Sequence, residues 1–301
     1  MAMETIEMEL KDGSIRKGNA WPIKDAKANL VIVTGMEEHS RRYNDFATFL
    51  NKNGYSVYIL DHYGQGENVE NLEELGRWEK SGFRKTVNAT DELVCKLRVT
   101  CKPILIMGHS MGSFIVQDYI QRYSNHVSKA IICGSCGKQF SVKIANRLAK
   151  ILVNKRNYNK KSKLFAKLTF NGYNKSVKSA VTPFDWLSYN ANNVNAYIED
   201  PKCGYGSTNG FYKEFFKGLN RINTPKFLSK IRKDLPILLV AGQEDPVGKF
   251  GKGVHKLENT YKKLGIKDVE CILYPNCRHE ILNEENKLDI YKDILCFLEK
   301  K

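Results

Sequence analysis

No stretch of this 301-residue sequence approaches the roughly 20 consecutive apolar residues a membrane-spanning helix needs. The N-terminal stretch MAMETIEMELKDGSIRKG alternates apolar and polar residues and carries early acids. A secretory leader would be basic and then continuously apolar, so none is read here. The eight cysteines follow no framework-like spacing and, with the missing leader, favour a cytoplasmic location. No Cys/His set has zinc-site spacing, no internal repeat is visible, and no nucleic-acid module signature is present. Acidic residues are missing from one long segment: Lys138 to Phe184 holds twelve Lys or Arg and no Asp or Glu. The chain's net charge of +15 therefore sits mostly there, leaving the remainder at +3. Such polarity suits an anionic partner, a membrane surface or a charged substrate; a merely solvated basic face is the alternative.

What is present is 42% hydrophobic and 27% charged residues, the balance of a folded globular chain. NLVIVTG, YSVYILD, KPILIMG, KAIICG, LPILLVAG and VECILYP read as buried strands of about five residues. Helical patterns separate them, and this alternation predicts a mostly parallel sheet covered on both faces. The start differs: TIEMEL and IRKGNAWPI, joined by KDGS, predict an antiparallel hairpin turning at Asp12-Gly13. Between about Gly137 and Lys233 the strand pattern stops and helical segments take over. This predicts a helical cap over residues 137–233, inserted between core segments 1–136 and 234–301. In FSVKIANRLAKIL, Phe140, Ile144, Leu148 and Ile151 share one helix face and Lys143, Arg147 and Lys150 another. Cys133 and Cys136 have C-x-x-C spacing, but they follow a strand rather than open a helix, which favours ordinary buried cysteines over a redox pair.

The pentad Gly108-His109-Ser110-Met111-Gly112 lies between the strand PILIM and the helical run MGSFIVQDYIQRY. That context is a nucleophile elbow: a tight turn exposing the serine oxygen, glycine-flanked because a Cβ would strike the neighbouring strand and helix. A serine hydroxyl attacks only when a base takes its proton. Acid and base are expected in the order Asp/Glu then His. LPILLVAGQEDPVG supplies Glu244 and Asp245 at a strand exit, with Asp245 favoured because Pro246 fits a turn aiming it inward. YPNCRHE supplies His279 after the next strand, whereas His126 and His255 read as surface residues and His109 as pointing away from the site. The oxyanion of an attacked ester needs two donors: the N–H of Met111, and one from the loop after NLVIVTG, at Met36.

TGMEEHSRRYNDFATFLNKNGYSVYILDHYGQGEN, GHSMGSF, TPFDWLSYNANNVNAYIEDPKCGYGST, AGQEDPVGKFGKGV and YPNCRHEILNE together resemble the α/β-hydrolase fold, and within it the monoacylglycerol lipase and lysophospholipase branch. The resemblance runs nearly end to end. It implies cleavage of a single acyl ester of a lipid-like substrate by Ser110, His279 and Asp245, with Met36 and Met111 as oxyanion donors and no metal or organic cofactor. A thioesterase, an acyltransferase or a non-catalytic ligand-binding relative are the alternatives. The basic cap, 138–184, would meet anionic membrane from outside; no nucleic-acid partner is expected. Two departures stand out. The family's oxyanion loop usually begins His-Gly, where this chain has Thr34-Gly35, and the Thr34 hydroxyl is one substitute for the missing imidazole brace. Met36-Glu37 replace a small residue and glycine, which would narrow the site or bring a negative charge close to it.

Overall fold

A computed structural model describes residues 3–300. The chain opens with β1 (Glu4–Glu9) and β2 (Ile15–Trp21), an antiparallel pair whose turn places Gly13 at φ +78°. Then come β3 (Ala28–Val33), α1 (Asn44–Lys52), β4 (Tyr55–Leu60), α2 (Gly82–Arg98), β5 (Ile104–His109), α3 (Met111–Tyr123) and β6 (Lys129–Cys133). Five helices follow without a named strand: α4 (Phe140–Leu152), α5 (Lys163–Phe170), α6 (Ala191–Glu199), α7 (Asn209–Ile222) and α8 (Pro225–Leu228). The sheet resumes with β7 (Ile237–Gly242), α9 (Lys252–Lys263), β8 (Val269–Tyr274) and α10 (Lys287–Glu299).

The eight strands form one sheet in the order β1-β2-β4-β3-β5-β6-β7-β8, parallel from β4 to β8. Its central strands are buried on both faces, as continuous apolar runs such as ILIM and ILLV require. One core layer, including Ile106, Ile115 and Tyr119, lies beneath α2, α3 and α9; another, including Met107, Leu238 and Phe46, lies beneath α1 and α10.

The helical insertion is split in its packing. α7 joins the main core: Phe211 lies 4.3 Å from the Trp78 ring, and Phe215 6.2 Å from that of Phe114. Trp186, Leu187, Tyr197 and Cys203 form a small cluster of their own. α4 buries only Asn146 and Ala149, leaving Phe140 75% and Ile151 78% exposed. The two ends of the predicted apolar face are therefore open, while Ile144 and Leu148 between them line a cavity.

Candidate active site

β5 delivers the chain to Ser110, which takes φ +52° and ψ −119°. That left-handed backbone is costly for a residue with a Cβ and persists only where the surroundings impose it. They do so by contact. A Cβ on Gly108 would sit 2.3 Å from the Gly112 carbonyl oxygen, and one on Gly112 would sit 1.9 Å from that of Val33. Both glycines are thus required for α3 to cross this close to β3 and β5. The Ser110 N–H donates to the Cys133 carbonyl at 3.0 Å, fixing the turn to β6.

Asp245 and His279 reach the same mouth of the sheet from the loops after β7 and β8. A Cβ on Gly242, the last residue of β7, would lie 2.1 Å from the Arg278 carbonyl oxygen, so the two loops run in contact. His279 Nδ1 lies 3.0 Å from Asp245 Oδ1, both residues being buried. Asp245 is held by the Val247 N–H at 2.8 Å, whereas Glu244 accepts from the Tyr189 hydroxyl at 2.6 Å near the surface. Ser110 and His279 line one cavity, but neither ring nitrogen of His279 makes an aligned hydrogen bond among the described residues, Nδ1 approaching Asp245 by distance alone. The serine and imidazole therefore share a pocket without a closed hydrogen bond, a looseness common in unliganded hydrolases.

Met36 and Met111 line the apolar lobe beside Ser110. Met111 opens α3, where the first N–H groups have no intrahelical acceptor. The preceding loop runs close by, since a Cβ on Gly35 would lie 3.2 Å from that of Ser110. The brace expected from Thr34 is absent: its hydroxyl is buried with no partner among the described residues, and its carbonyl faces His62 Nε2 at 3.0 Å. Gln65 and Glu38 brace the loop instead. Gln65 Nε2 donates to the Gly35 carbonyl at 3.0 Å, its Oε1 accepts from the Glu37 N–H at 3.2 Å, and Glu38 Oε1 accepts from the Gly35 N–H at 2.5 Å. Sequence reasoning missed both because their targets are backbone atoms, which no motif spells.

Glu37 lines the cavity shared by Ser110 and His279, and its carboxylate is tied down there. It accepts from the Ser207 hydroxyl at 2.8 Å and the Gly206 N–H at 3.1 Å, tying the oxyanion loop to the segment before α7. Burial pushes its carboxyl above the usual range. Met36 and Glu37 both line the cavities at Ser110, where the sequence placed them.

His109, expected to point away from Ser110, packs against the segment that carries His279. Its Nε2 lies 3.3 Å from the His279 carbonyl oxygen, its Nδ1 3.3 Å from Glu38 Oε1, and its ring 4.9 Å from that of His279. Arg42 completes the cluster with a bidentate pair to Glu280 at 2.6 and 2.7 Å and a contact to Glu38 at 3.2 Å. Burial opposes charge on each of these groups, but their mutual attraction outweighs it. Glu38 is held below, and His109 above, their ordinary values. One buried network thereby locks the oxyanion loop, the elbow and the His279 loop together.

His255 is exposed and His126 half-buried on the surface, each paired with a carboxylate. Among the described residues, three His/Cys/carboxylate clusters have donor atoms within 4.8 Å of one another (around His39, His126 and His255), and none includes Ser110, Asp245 or His279. Cys133 and Cys136 are buried free thiols, pushed up by burial, Cys136 to about 11, which leaves them protonated rather than redox-poised.

A mostly parallel eight-stranded sheet with helices on both faces, and a serine at a strained strand-to-helix turn, define an α/β-hydrolase. The chain belongs to the family described as serine aminopeptidase, S33, whose model matches residues 24–286, and it is accordingly an α/β-hydrolase enzyme. It is 25% identical to the monoacylglycerol lipase of Mycolicibacterium smegmatis over 285 residues, covering 92% of this chain and 90% of that one. It is 23% identical to the probable lysophospholipase L2 of Haemophilus influenzae, covering 89% of this chain and 83% of that one. Among solved structures it superposes on a thermostable carboxyl esterase from Bacillus coagulans with TM-score 0.91 at 25% identity, over 99% and 98% of the two chains. A monoglyceride lipase variant from Saccharomyces cerevisiae shares the fold, with TM-score 0.77 at 18% identity over 99% and 96%. No helix among the described residues is long and apolar enough to cross a membrane.

Proposed function

We propose that the protein is a serine carboxylic-ester hydrolase that cleaves a single acyl ester of a lipid-like substrate, a monoacylglycerol or a lysophospholipid. The observation that carries this reading is the pair of cavities meeting at Ser110. One, of about 240 Å³, is walled by apolar side chains including Phe114, Ile144, Leu148, Phe215 and Leu219. The other, of about 500 Å³, has apolar walls from Phe170, Phe184 and Trp186 as well, but adds polar groups that the first lacks, among them Asn171, Asn174 and Lys175. An acyl chain suits the first, where removing apolar surface from water favours binding. The leaving alcohol with its head group suits the second.

His279 takes the proton of Ser110 as its oxygen attacks the ester carbonyl. The resulting oxyanion accepts from the Met36 and Met111 N–H groups. His279 then protonates the departing alcohol, which leaves through the larger cavity. Water repeats the attack on the acyl-enzyme with His279 again as base, and Asp245 stabilises the imidazolium in both steps. An acyltransferase or thioesterase would share this acyl-enzyme and differ only in the group entering or leaving.

Stoichiometric labelling by a fluorophosphonate probe, lost in Ser110→Ala, is the expected result; labelling that persists would remove Ser110 as nucleophile and end this mechanism. Hydrolysis rates on monoacylglycerols, lysophospholipids and short p-nitrophenyl esters then assign the head group. Membrane contact through the basic cap is part of the same reading. It is supported by the exposed Phe140, Ile144 and Ile151 beside Lys143, Arg147 and Lys150. Vesicle binding should rise with anionic lipid and fall with salt, and equal binding to neutral vesicles would refute the contact.

A further inference from the structure

α4 and α7 each have a second face, turned away from Ser110. There, with α2, α3 and α8, they border a separate, open cavity of about 350 Å³ at the seam between the helical insertion and the core, with Arg84, Lys150 and Lys217 exposed at its rim. Five cations line it: Arg84 from α2, Arg122 from α3, Lys150 from α4, and Lys217 and Arg221 from α7. Only two carboxylates face them. Asp118 pairs with Arg122 at 3.0 Å and with Arg221, while Glu214 pairs with Lys217 at 3.4 Å. Arg84 and Lys150 form no ion pair among the described residues; Arg84 Nε donates only to Asn88, at 2.9 Å.

Asn146, only 6% exposed, also lines this cavity. Arg221 is flattened on the Phe227 ring, 3.8 Å from its centroid. Burial, with repulsion from Arg84 added, lowers its guanidinium to about 10. Like charges are thus gathered here at a cost that a bound anion would repay.

We propose that this cavity binds a small polyphosphate-bearing anion, which clamps α4 onto the core helices. Forked guanidinium groups match phosphate oxygens in pairs, and a net excess of three positive charges suits a pyrophosphate or bisphosphate group better than a single carboxylate. Occupation bridges Lys150 on α4 to Arg84 and Arg122 on α2 and α3. Because Ile144 and Leu148 on the other face of α4 wall the apolar lobe beside Ser110, the anion also fixes that wall. The site does not depend on which ester the enzyme cleaves.

Titration of the full chain with inorganic pyrophosphate tests this, beside vesicles carrying an inositol-bisphosphate lipid and phosphatidylserine vesicles of equal charge. Saturable binding is expected, with Arg84→Gln and Lys150→Gln each weakening it about tenfold. Hydrogen exchange in α4 should slow on binding in the wild type and remain unchanged in Arg84→Gln. Hydrolysis of a short p-nitrophenyl ester without pyrophosphate should be equal in Arg84→Gln and wild type. Arg84-dependent binding of free pyrophosphate identifies a soluble ligand; Arg84-dependent capture by the bisphosphate vesicles alone identifies a lipid head group. If neither probe binds in an Arg84-dependent way, the proposal is overturned.

Discussion

α3 and α4 are both thirteen residues long, and both line the apolar cavity at Ser110. α3 is buried from Met111 through Gln121, polar residues included. α4 is the more amphipathic in sequence, yet buries only Asn146 and Ala149; Ile144 and Leu148 of its apolar stripe turn to the cavity, and Phe140 and Ile151 at its ends stay exposed. The difference teaches that an apolar stripe says a helix needs a partner, not that the partner is in the same chain. α3 lies against a sheet whose strands fix it by backbone contact. α4 lies over a cavity, so part of its apolar face is left for whatever fills or covers that cavity.

The largest effect is expected at the α3 end of this comparison. Gly112→Ala places a methyl 1.9 Å from the Val33 carbonyl oxygen, where only backbone movement can relieve the clash. Loss of more than about 4 kcal/mol, or failure to fold, should follow. Denaturant unfolding reads it, and near-wild-type stability would mean that the elbow is not close-packed.

Ile115→Ala should cost about 2–5 kcal/mol, since Ile115 is fully buried, whereas Ile151→Ala on exposed α4 should stay within about 0.5 kcal/mol. Equal losses would erase the contrast. Phe140→Ser with Ile151→Ser should leave stability near wild type and lower partitioning onto anionic vesicles about tenfold. Unchanged partitioning would leave the open face without this partner.

The smallest effect concerns pH. Burial disfavours charged His109, but Glu38 more than compensates, so its folded pKa lies above 6.5. Its stabilising contribution is therefore complete below pH 6.5 and fades as pH rises through the folded value. Glu38, held below 4.5, gives the complementary loss as pH falls through its own folded value. The stability gap between wild type and His109→Gln should narrow on raising the pH from about 6 to about 9. A gap independent of pH would show that the pair does not titrate with folding.

Much of the architecture was legible because buried parallel strands have a local signature. ILIM, ILLV and LVIV are apolar without alternation, and each became a central strand. The elbow was legible for a related reason: a turn that tolerates no Cβ at two positions must spell glycine twice. The brace by Gln65 and Glu38 was not, nor was the part played by His109 beneath His279. Their partners are backbone groups or charges from distant segments, and hydrogen bonds to a carbonyl leave no trace in the partner's residue type.

By itself the sequence determined the order of strands, the glycines of the elbow, the concentration of positive charge in the insertion and the amphipathic stripe of α4. Each is a local demand, set by backbone sterics or by the period of apolar residues. Tertiary structure alone decided that Glu37 would turn to the segment before α7, that Thr34 would brace nothing, and that Arg84, Arg122, Lys150 and Arg221 would meet around one cavity. Those outcomes depend on which side chains converge from segments far apart in the chain. Burial and charge act through distance in space, which sequence separation does not measure.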